Sequence, residues 1–214
     1  MPEIIIENYD EKYYAKVIEL FKYGTYEHIY YALQNGWKKP KVRIFLGSFV
    51  TVLPFSIWYA LIWLCITVFL HVFFVSVFYY GYVQYRMITD MSDRKLKFWT
   101  VKPNEFFIAK INGLVVGTIA YQLKDLTTVE INRLSVDQKY RRLGIAKTLM
   151  KALLSRAKNE GYKKVILTTS KNQIGAHKLY ENLGFQFDGD ENLGILSDFV
   201  TGVNVVKYIL QFEN

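Results

Sequence analysis

Residues Tyr140-Arg141-Arg142-Leu143-Gly144-Ile145-Ala146 have the types and spacing to hold an anion. They lie between an apolar, strand-like run, Val129 to Val136, and an amphipathic, helix-like run, Lys147 to Lys158. A strand-loop-helix unit with Arg-x-x-Gly-x-Ala at the helix start turns successive backbone N–H groups and the positive end of the helix dipole toward one point. Small residues at Gly144 and Ala146 let a phosphate approach the main chain, while Arg141 and Arg142 add positive charge. The pattern reads as a pyrophosphate cradle, that of coenzyme A; taken alone, a solvated basic loop explains it equally well.

A second segment shifts the balance. Asn172-Gln173-Ile174-Gly175-Ala176-His177-Lys178-Leu179-Tyr180-Glu181-Asn182-Leu183-Gly184-Phe185 opens another helix. Together the two segments resemble the GNAT acetyltransferase superfamily, with its acetyl-CoA loop (Arg/Gln-x-x-Gly-x-Gly/Ala) and its later Asn-x-x-Ala-x-x-Leu-Tyr-Glu-x-x-Gly-Phe signature. The chain departs from that signature at Gln173, where the family usually has an Asn that bonds the pantetheine arm. Either Gln173 reaches the same partner or Asn172 substitutes.

The chain also resembles a narrower group, the membrane-bound N-acetyltransferases that include cysteine S-conjugate N-acetyltransferase, the Camello-like proteins and aspartate N-acetyltransferase. Glu27-His28, Thr89-Asp90-Met91-Ser92-Asp93, Phe98-Trp99, Gly113 to Gly117, Thr128-Val129-Glu130, Arg133 to Asp137 and Gly144 to Lys147 carry this likeness. It departs at Arg94 and around Phe106. The resemblance implies a GNAT fold, acetyl-CoA as cosubstrate without a metal, and an endoplasmic reticulum membrane location.

Acetyl transfer from a thioester to an amine needs a polarised carbonyl, a neutral amine and a proton for the leaving thiolate. The backbone near Leu134 and Val136 is placed to pair with the pantetheine arm and donate an N–H to the thioester oxygen. Arg141 through Ala146 would hold the pyrophosphate, and Gln173 the pantetheine. Glu130 is the candidate base, or else a surface carboxylate. Tyr180 stands at the family's usual thiolate proton donor; packing on a helix face is its plainer role. Arg133 suits a substrate carboxylate, with an ion pair to Glu130 or Asp137 as the alternative. Glu27, His28, Asp90 and Asp93 flank the site where acceptor loops usually lie, although Asp93 also suits a helix cap.

The elements that must position these groups follow the GNAT order. Glu3 to Tyr9 reads as a strand, Glu11 to Phe21 as a helix, and Tyr26 to Gln34 as a further amphipathic stretch. Asn112-Gly113 joins two strands, Glu105 to Lys110 and Leu114 to Gln122, as a tight hairpin. Strand Thr128 to Val136, helix Arg142 to Lys158 with Gly161 as its stop, strand Lys164 to Thr169, helix Ile174 to Leu183, and strands Phe185 to Asp188 and Val205 to Phe212 complete a mixed, mostly antiparallel α/β sheet.

One segment interrupts that order. From Ile44 to Tyr85 there is no Asp, Glu, Lys or Arg in 42 residues. Because about 20 apolar residues span a bilayer, the run is long enough for two short spans, a helical hairpin, or for a shallow re-entrant pair. The chain thus divides into residues 1–40, the hairpin 41–86, and 87–214. Lys38, Lys39, Lys41 and Arg43 precede the run, and Arg86, Arg94, Lys95 and Lys97 follow it. Basic flanks on both sides put both ends in the cytosol. The fold agrees, since the first strand must rejoin a sheet whose other strands lie beyond the hairpin.

The net charge of +8 is concentrated beside this segment, which favours anionic lipid over nucleic acid. The single cysteine, Cys65, lies inside the apolar run, and the three histidines show no metal-ligand spacing. The partners expected are a small amine or amino-acid-like acceptor and membrane lipid. A homo-oligomer through the membrane segment is left open. The best reading is an acetyl-CoA-dependent N-acetyltransferase acting on a cysteine S-conjugate; a protein lysine or N-terminal acetyltransferase, or a non-catalytic acetyl-CoA-binding membrane protein, are the alternatives.

Overall fold

Alternating side-chain environments build the sheet. On Thr128–Val136, Val129 and Ile131 are buried on one face while Glu130 and Asn132, half-buried, turn to the other. The computed structural model describes residues 2–36, 38–89, 91–92, 96, 99–171, 173–191 and 205–212. Its strands are β1 (Ile5–Asn8), β2 (Glu105–Ile111), β3 (Leu114–Asp125), β4 (Thr128–Val136), β5 (Lys164–Ser170), β6 (Gln186–Glu191) and β7 (Val205–Gln211), in the order β1-β2-β3-β4-β5-β7-β6. Among the described strands, only β4 and β5 pair in parallel. The turn between β2 and β3 falls at Asn112-Gly113, both with positive φ (49° and 77°), as a hairpin of this handedness requires.

Helices cover both faces: α1 (Tyr14–Gly36), α2 (Pro40–Gly47), α3 (Ile57–Thr89), α4 (Ile145–Asn159) and α5 (Ile174–Glu181). On α4, Ile145, Leu149, Met150, Leu153 and Ala157 form one buried helical stripe. Burying each of its larger side chains contributes about 1.5–3 kcal/mol. This stripe meets Ile119, Val129, Ile131 and Leu167 of the sheet and Tyr180 of α5. Across the sheet, Val17 and Leu20 of α1 join Leu96, Trp99, Phe106 and Ile108 in a second core.

Helix α1 is continuous where the sequence suggests two pieces. Gly24 sits inside it because α1 presses on β4 there: a Cβ on Gly24 would come 3.1 Å from Ser135 Oγ, and that hydroxyl donates to the Leu20 carbonyl at 3.2 Å. Packing outweighs the loss of helix propensity at glycine.

The apolar run corrects one expectation. In place of two comparable arms, the chain makes the eight-residue α2, a 3-10 turn at Ser48–Thr51, and the 33-residue α3. A helix of eight residues rises about 12 Å, well short of a hydrocarbon core of about 30 Å. Pro54 lies in the reversal before α3, where its ring disfavours helix for Leu53. Trp63 Nε1 then staples the arms by donating to Ser48 Oγ at 2.9 Å. Helix α3 is long and apolar enough to cross a membrane, yet it meets two environments. Its first half exposes Trp58, Phe69 and Phe73, whereas Val75 and Tyr79 pack on Ala32 of α1. One face of the second half of α3 is therefore a wall of the globular domain.

Candidate active site

Strands β4 and β5 pair from Thr128↔Lys164 to Ile131↔Leu167 and then part. The divergence has a local cause in β4: Thr118 pairs Ser135 and Ala120 pairs Asn132, so one extra residue bulges opposite Ile119. Arg133 takes the left-handed conformation at that bulge, with φ 59°. Beyond it, the β4 edge through Leu134 and Val136 and the β5 segment Thr168 to Ser170 line a cavity of about 760 Å³. An unpaired strand edge facing an opening of this size offers backbone N–H and C=O groups to an extended arm, the role expected for Leu134 and Val136.

At the end of the opening lies the loop between β4 and α4, expected to cradle the pyrophosphate. Asp137 Oδ1 accepts from the Lys139 amide at 3.1 Å and starts the 3-10 turn Gln138–Tyr140. Arg142 and Gly144 both have positive φ, 66° and 82°, which folds the loop back on itself before α4 begins at Ile145. Ile145 is buried beneath the loop and Ala146 half-buried beside it, while Arg142 and Gly144 are exposed and Leu143 partly so. The space above Gly144 is open to 4 Å. Arg141 is held from two sides: its Nε donates to the Val136 carbonyl at 3.2 Å, and its two terminal nitrogens donate to Glu27 at 3.0 and 2.5 Å. The side chain is thereby held by α1.

Tyr180 points from α5 into the same cavity and is buried beside Phe185 and Tyr208. Burial pushes its pKa up to about 12, so the hydroxyl keeps its proton at neutral pH. Thr169 is its polar neighbour. Thr169 Oγ1 donates to Gln173 Oε1 at 2.6 Å, and Gln173 Nε2 lies 3.2 Å from His28 Nε2. A polar chain thus joins Thr169, Gln173 and His28 across the opening, with Tyr180 beside Thr169. His28 stacks on Tyr79, with ring centroids 6.4 Å apart, and its burial lowers the imidazole pKa against the opposing pull of Glu27. Asn172, the alternative to Gln173, lies outside the described residues.

Arg133 forms the far wall. Its guanidinium lies 5.3 Å from the Phe21 ring centroid and 5.8 Å from that of Trp99, with Tyr82 nearby. Desolvation, helped by the nearby Arg86, brings its pKa down to about 10, which leaves it charged at neutral pH. The described ion pairs include none between Arg133 and Glu130 or Asp137. Glu130 stands beside the cavity lining rather than in it, with Gln122 Nε2 donating to it at 3.1 Å and Lys124 Nζ 3.4 Å away. Asp90 and Asp93 lie outside the described residues.

Sequence reasoning missed the four lining residues of α3. Phe78, Tyr79, Tyr82 and Arg86 line the cavity, although Arg86 reads in sequence as part of a basic membrane flank. Their spacing of three and four places them on one helical face, and that periodicity inside the apolar run was the available signal. Among the described residues there is no cluster of metal-ligating side chains.

A family model described as the acetyltransferase (GNAT) family matches residues 70–185. N-acetyltransferase 8 of Mus musculus is 31% identical over 217 residues, covering 98% of this chain and 95% of its own length. N-acetylaspartate synthetase of Danio rerio is 29% identical over 195 residues, covering 88% and 68% respectively. Among solved structures, an acetyltransferase of Bacillus anthracis in complex with acetyl coenzyme A is 26% identical, with a TM-score of 0.50 over 55% of this chain and 68% of that one. The splayed strands, the glycine loop and these likenesses agree: the chain is an acyltransferase of the GNAT N-acetyltransferase family, in the group that holds N-acetyltransferase 8 and N-acetylaspartate synthetase.

Proposed function

We propose that this enzyme transfers the acetyl group of acetyl-CoA to the α-amino group of a small amino acid with an apolar substituent, best a cysteine S-conjugate, at the endoplasmic reticulum membrane with its catalytic domain in the cytosol. One observation carries the reading: the β4–β5 opening and the half-buried Arg133 share one cavity, whose other walls are α1 and an aromatic face of the apolar helix α3. A carboxylate would pair with Arg133, and an apolar substituent would lie against Phe78, Tyr79 and Tyr82. Acetyl-CoA as cosubstrate is supported by its presence in the Bacillus anthracis structure and by the open Gly144 cradle.

In this reading Leu134 and Val136 offer N–H groups to the thioester oxygen. As the amine nitrogen bonds to the acetyl carbon and the C–S bond breaks, Tyr180 gives its proton to the leaving sulfur. The amine proton goes to His28, the one imidazole in the lining, or through water to Glu130 beside it.

The membrane part of the proposal rests on the exposed apolar surface of α2 and α3. Phe55 and Trp58 at the tip are 84% and 73% exposed, and Lys38, Lys41 and Arg43 at the base are exposed cations suited to anionic headgroups.

The test is thiol release from acetyl-CoA by detergent-purified protein offered S-benzyl-cysteine, aspartate, other amino acids or a lysine peptide. Turnover with S-benzyl-cysteine is the expected result. Turnover with the peptide alone would make it a protein acetyltransferase, and acetyl-CoA binding without turnover would make it a sensor.

A further inference from the structure

Gln173 occupies the cap position of α5, where a side chain commonly accepts from the first helix amides; its own makes no such bond. Its backbone is fixed regardless, with the amide donating to the Ser170 carbonyl at 3.0 Å and the carbonyl accepting from Ala176 at 2.9 Å. The side chain is thus left to reach into the cavity, where its amide lies between Thr169 of β5 and His28 of α1. Both ends of that amide are engaged by protein.

The distances decide how the amide is turned. Hydrogen bonds between two oxygens run to about 2.5–3.0 Å and those from nitrogen to oxygen to about 2.7–3.2 Å, so the 2.6 Å contact with Thr169 Oγ1 suits Gln173 Oε1, with the hydroxyl as donor. The amide nitrogen then faces His28 Nε2 at 3.2 Å. An amide NH2 group donates and does not accept, so Nε2 is the acceptor: it carries the lone pair, and the ring proton sits on Nδ1. Burial favours the neutral imidazole, in agreement with this assignment. Tyr79 stacks against the ring at an interplanar angle of 19°, so the imidazole is held by its face as well as by its edge.

We propose that Gln173 is the positioning residue of His28: its amide selects the tautomer with the lone pair at Nε2, and it turns over when that nitrogen takes the acceptor's proton. This deepens the proposed function and rests on its use of His28 as the base. In the step, an N–H bond of the amine breaks, its electron pair stays on the amine nitrogen, and the proton joins Nε2. The imidazolium then carries N–H at both ring nitrogens, and two donors would face each other across the His28–Gln173 contact. A half-turn of the amide removes that conflict. Oε1 then accepts from Nε2–H, and the amide nitrogen donates to Thr169 Oγ1, because a hydroxyl can accept as well as donate. One side chain therefore satisfies both protonation states of the ring. Asparagine, one methylene shorter, does not span both partners from the same backbone position.

The experiment reads the tautomer directly, from the ring-nitrogen resonances of full-length, detergent-purified enzyme carrying isotope-labelled histidine. The chain has three histidines, and His28→Asn identifies the signal. Where the ring is neutral, wild type should show Nδ1 protonated and Nε2 bare. Gln173→Met, of similar length but without the amide, and Gln173→Asn should both lose that preference. Their kcat with S-benzyl-cysteine should fall about 10-fold, while acetyl-CoA affinity by calorimetry stays within about 3-fold. Gln173→Glu sets a carboxylate against the imidazole and should move the acid limb of kcat/KM to higher pH by about one unit or more. The other charged groups lining the cavity, Glu27 on α1, Arg86 on α3, Arg133 on β4 and Arg141 on the loop, are the same in every variant, so the shift reports position 173. A wild-type ring protonated at Nε2, or an active enzyme whose tautomer and kcat are unchanged in the Met and Asn variants, would overturn this role alone. A loss confined to acetyl-CoA affinity would make Gln173 a cofactor contact and overturn it too. If the Met variant does not bind acetyl-CoA, the Asn variant, which keeps an amide, decides by the same resonances. A wild-type enzyme that acetylates no free amino acid would overturn the proposed function itself, and the role of Gln173 with it.

Discussion

Glu27 of α1 and Arg141 of the glycine loop are joined by a two-pronged ion pair, with Nη1–Oε1 at 3.0 Å and Nη2–Oε2 at 2.5 Å. The pair ties the helix beside the acceptor cavity to the loop that would cradle the cofactor. Both residues read in sequence as ligand-binding groups; in the structure each occupies the other. Arg142, exposed on the same loop, has no such partner among the described ion pairs. Arg142→Ala should therefore weaken acetyl-CoA binding about tenfold through loss of a charge-assisted contact, at unchanged melting temperature. Arg141→Ala should act on stability instead. A partly exposed pair of this kind contributes about 1 kcal/mol or less, worth about 2–4 °C in a domain of this size. Calorimetry with CoA and a thermal melt separate the two, and equal affinity losses with no change in melting would refute the division.

His28 supplies a prediction in pH. Its folded-state pKa is lowered from 6.5 by burial, so the unfolded chain binds a proton more readily at this position. The stability due to neutral His28 is fully present above pH 6.5 and is lost as pH falls from there through the lower folded value. As the amine's base, His28 would also give kcat/KM an acid limb below pH 6.5. His28→Asn should remove that limb, lower turnover about 100-fold, and flatten the acid side of the stability profile. Should Glu130→Gln cost more turnover than His28→Asn and abolish the limb, Glu130 is the base.

The fold was legible because its signals are local. Asn112-Gly113 demands a turn, the stripe from Ile145 to Ala157 demands a buried helix face, and β4 ends where it was expected to end, at Val136. The loop and Tyr180 were legible for the same reason, since their neighbours in sequence are also their neighbours in space. What escaped depends on tertiary contact. Nothing near Glu27 announces Arg141, 114 positions away, and nothing near Arg86 shows that it lines the cavity rather than meeting lipid headgroups. The continuity of α1 escaped for a related reason, because Gly24 inside it marks a close approach to Ser135.

Tyr180→Phe tests the proton donor with little disturbance, as the ring contacts with Phe185 and Tyr208 remain. Turnover should fall about 100-fold while acetyl-CoA affinity holds, since only the proton to the leaving sulfur is lost. Removing the hydroxyl also leaves Thr169 without that neighbour, a cost to be read as a small drop in melting temperature. Unchanged single-turnover kinetics would return Tyr180 to a packing role.

Gly144→Glu tests the cradle. At φ 82° a side chain costs about 1–2 kcal/mol in backbone strain, and this one would project a carboxylate into the open space above the loop. Acetyl-CoA binding should be lost because like charges would then meet there. Gly144→Ala carries the strain without the charge and should keep measurable affinity; equal loss in both variants would point to loop geometry instead.

The tip of the α2–α3 hairpin tests the membrane reading apart from catalysis. Phe55, Trp58 and Tyr59 are 84%, 73% and 67% exposed, and no charged residue lies near them in sequence. Burying each ring in a bilayer is worth about 1.5–3 kcal/mol, so replacing all three with serine removes several kcal/mol of insertion energy. Flotation with vesicles of neutral and anionic lipid should show the wild type bound and the triple variant largely released. The variant's turnover of a soluble acceptor should persist, because the cavity wall begins about 30 Å farther along α3, at Phe78. If both proteins float equally, the hairpin tip is not what holds this enzyme to lipid. In that case the basic base of the hairpin, Lys38, Lys41 and Arg43, would have to suffice, and binding would then vanish with neutral vesicles or high salt.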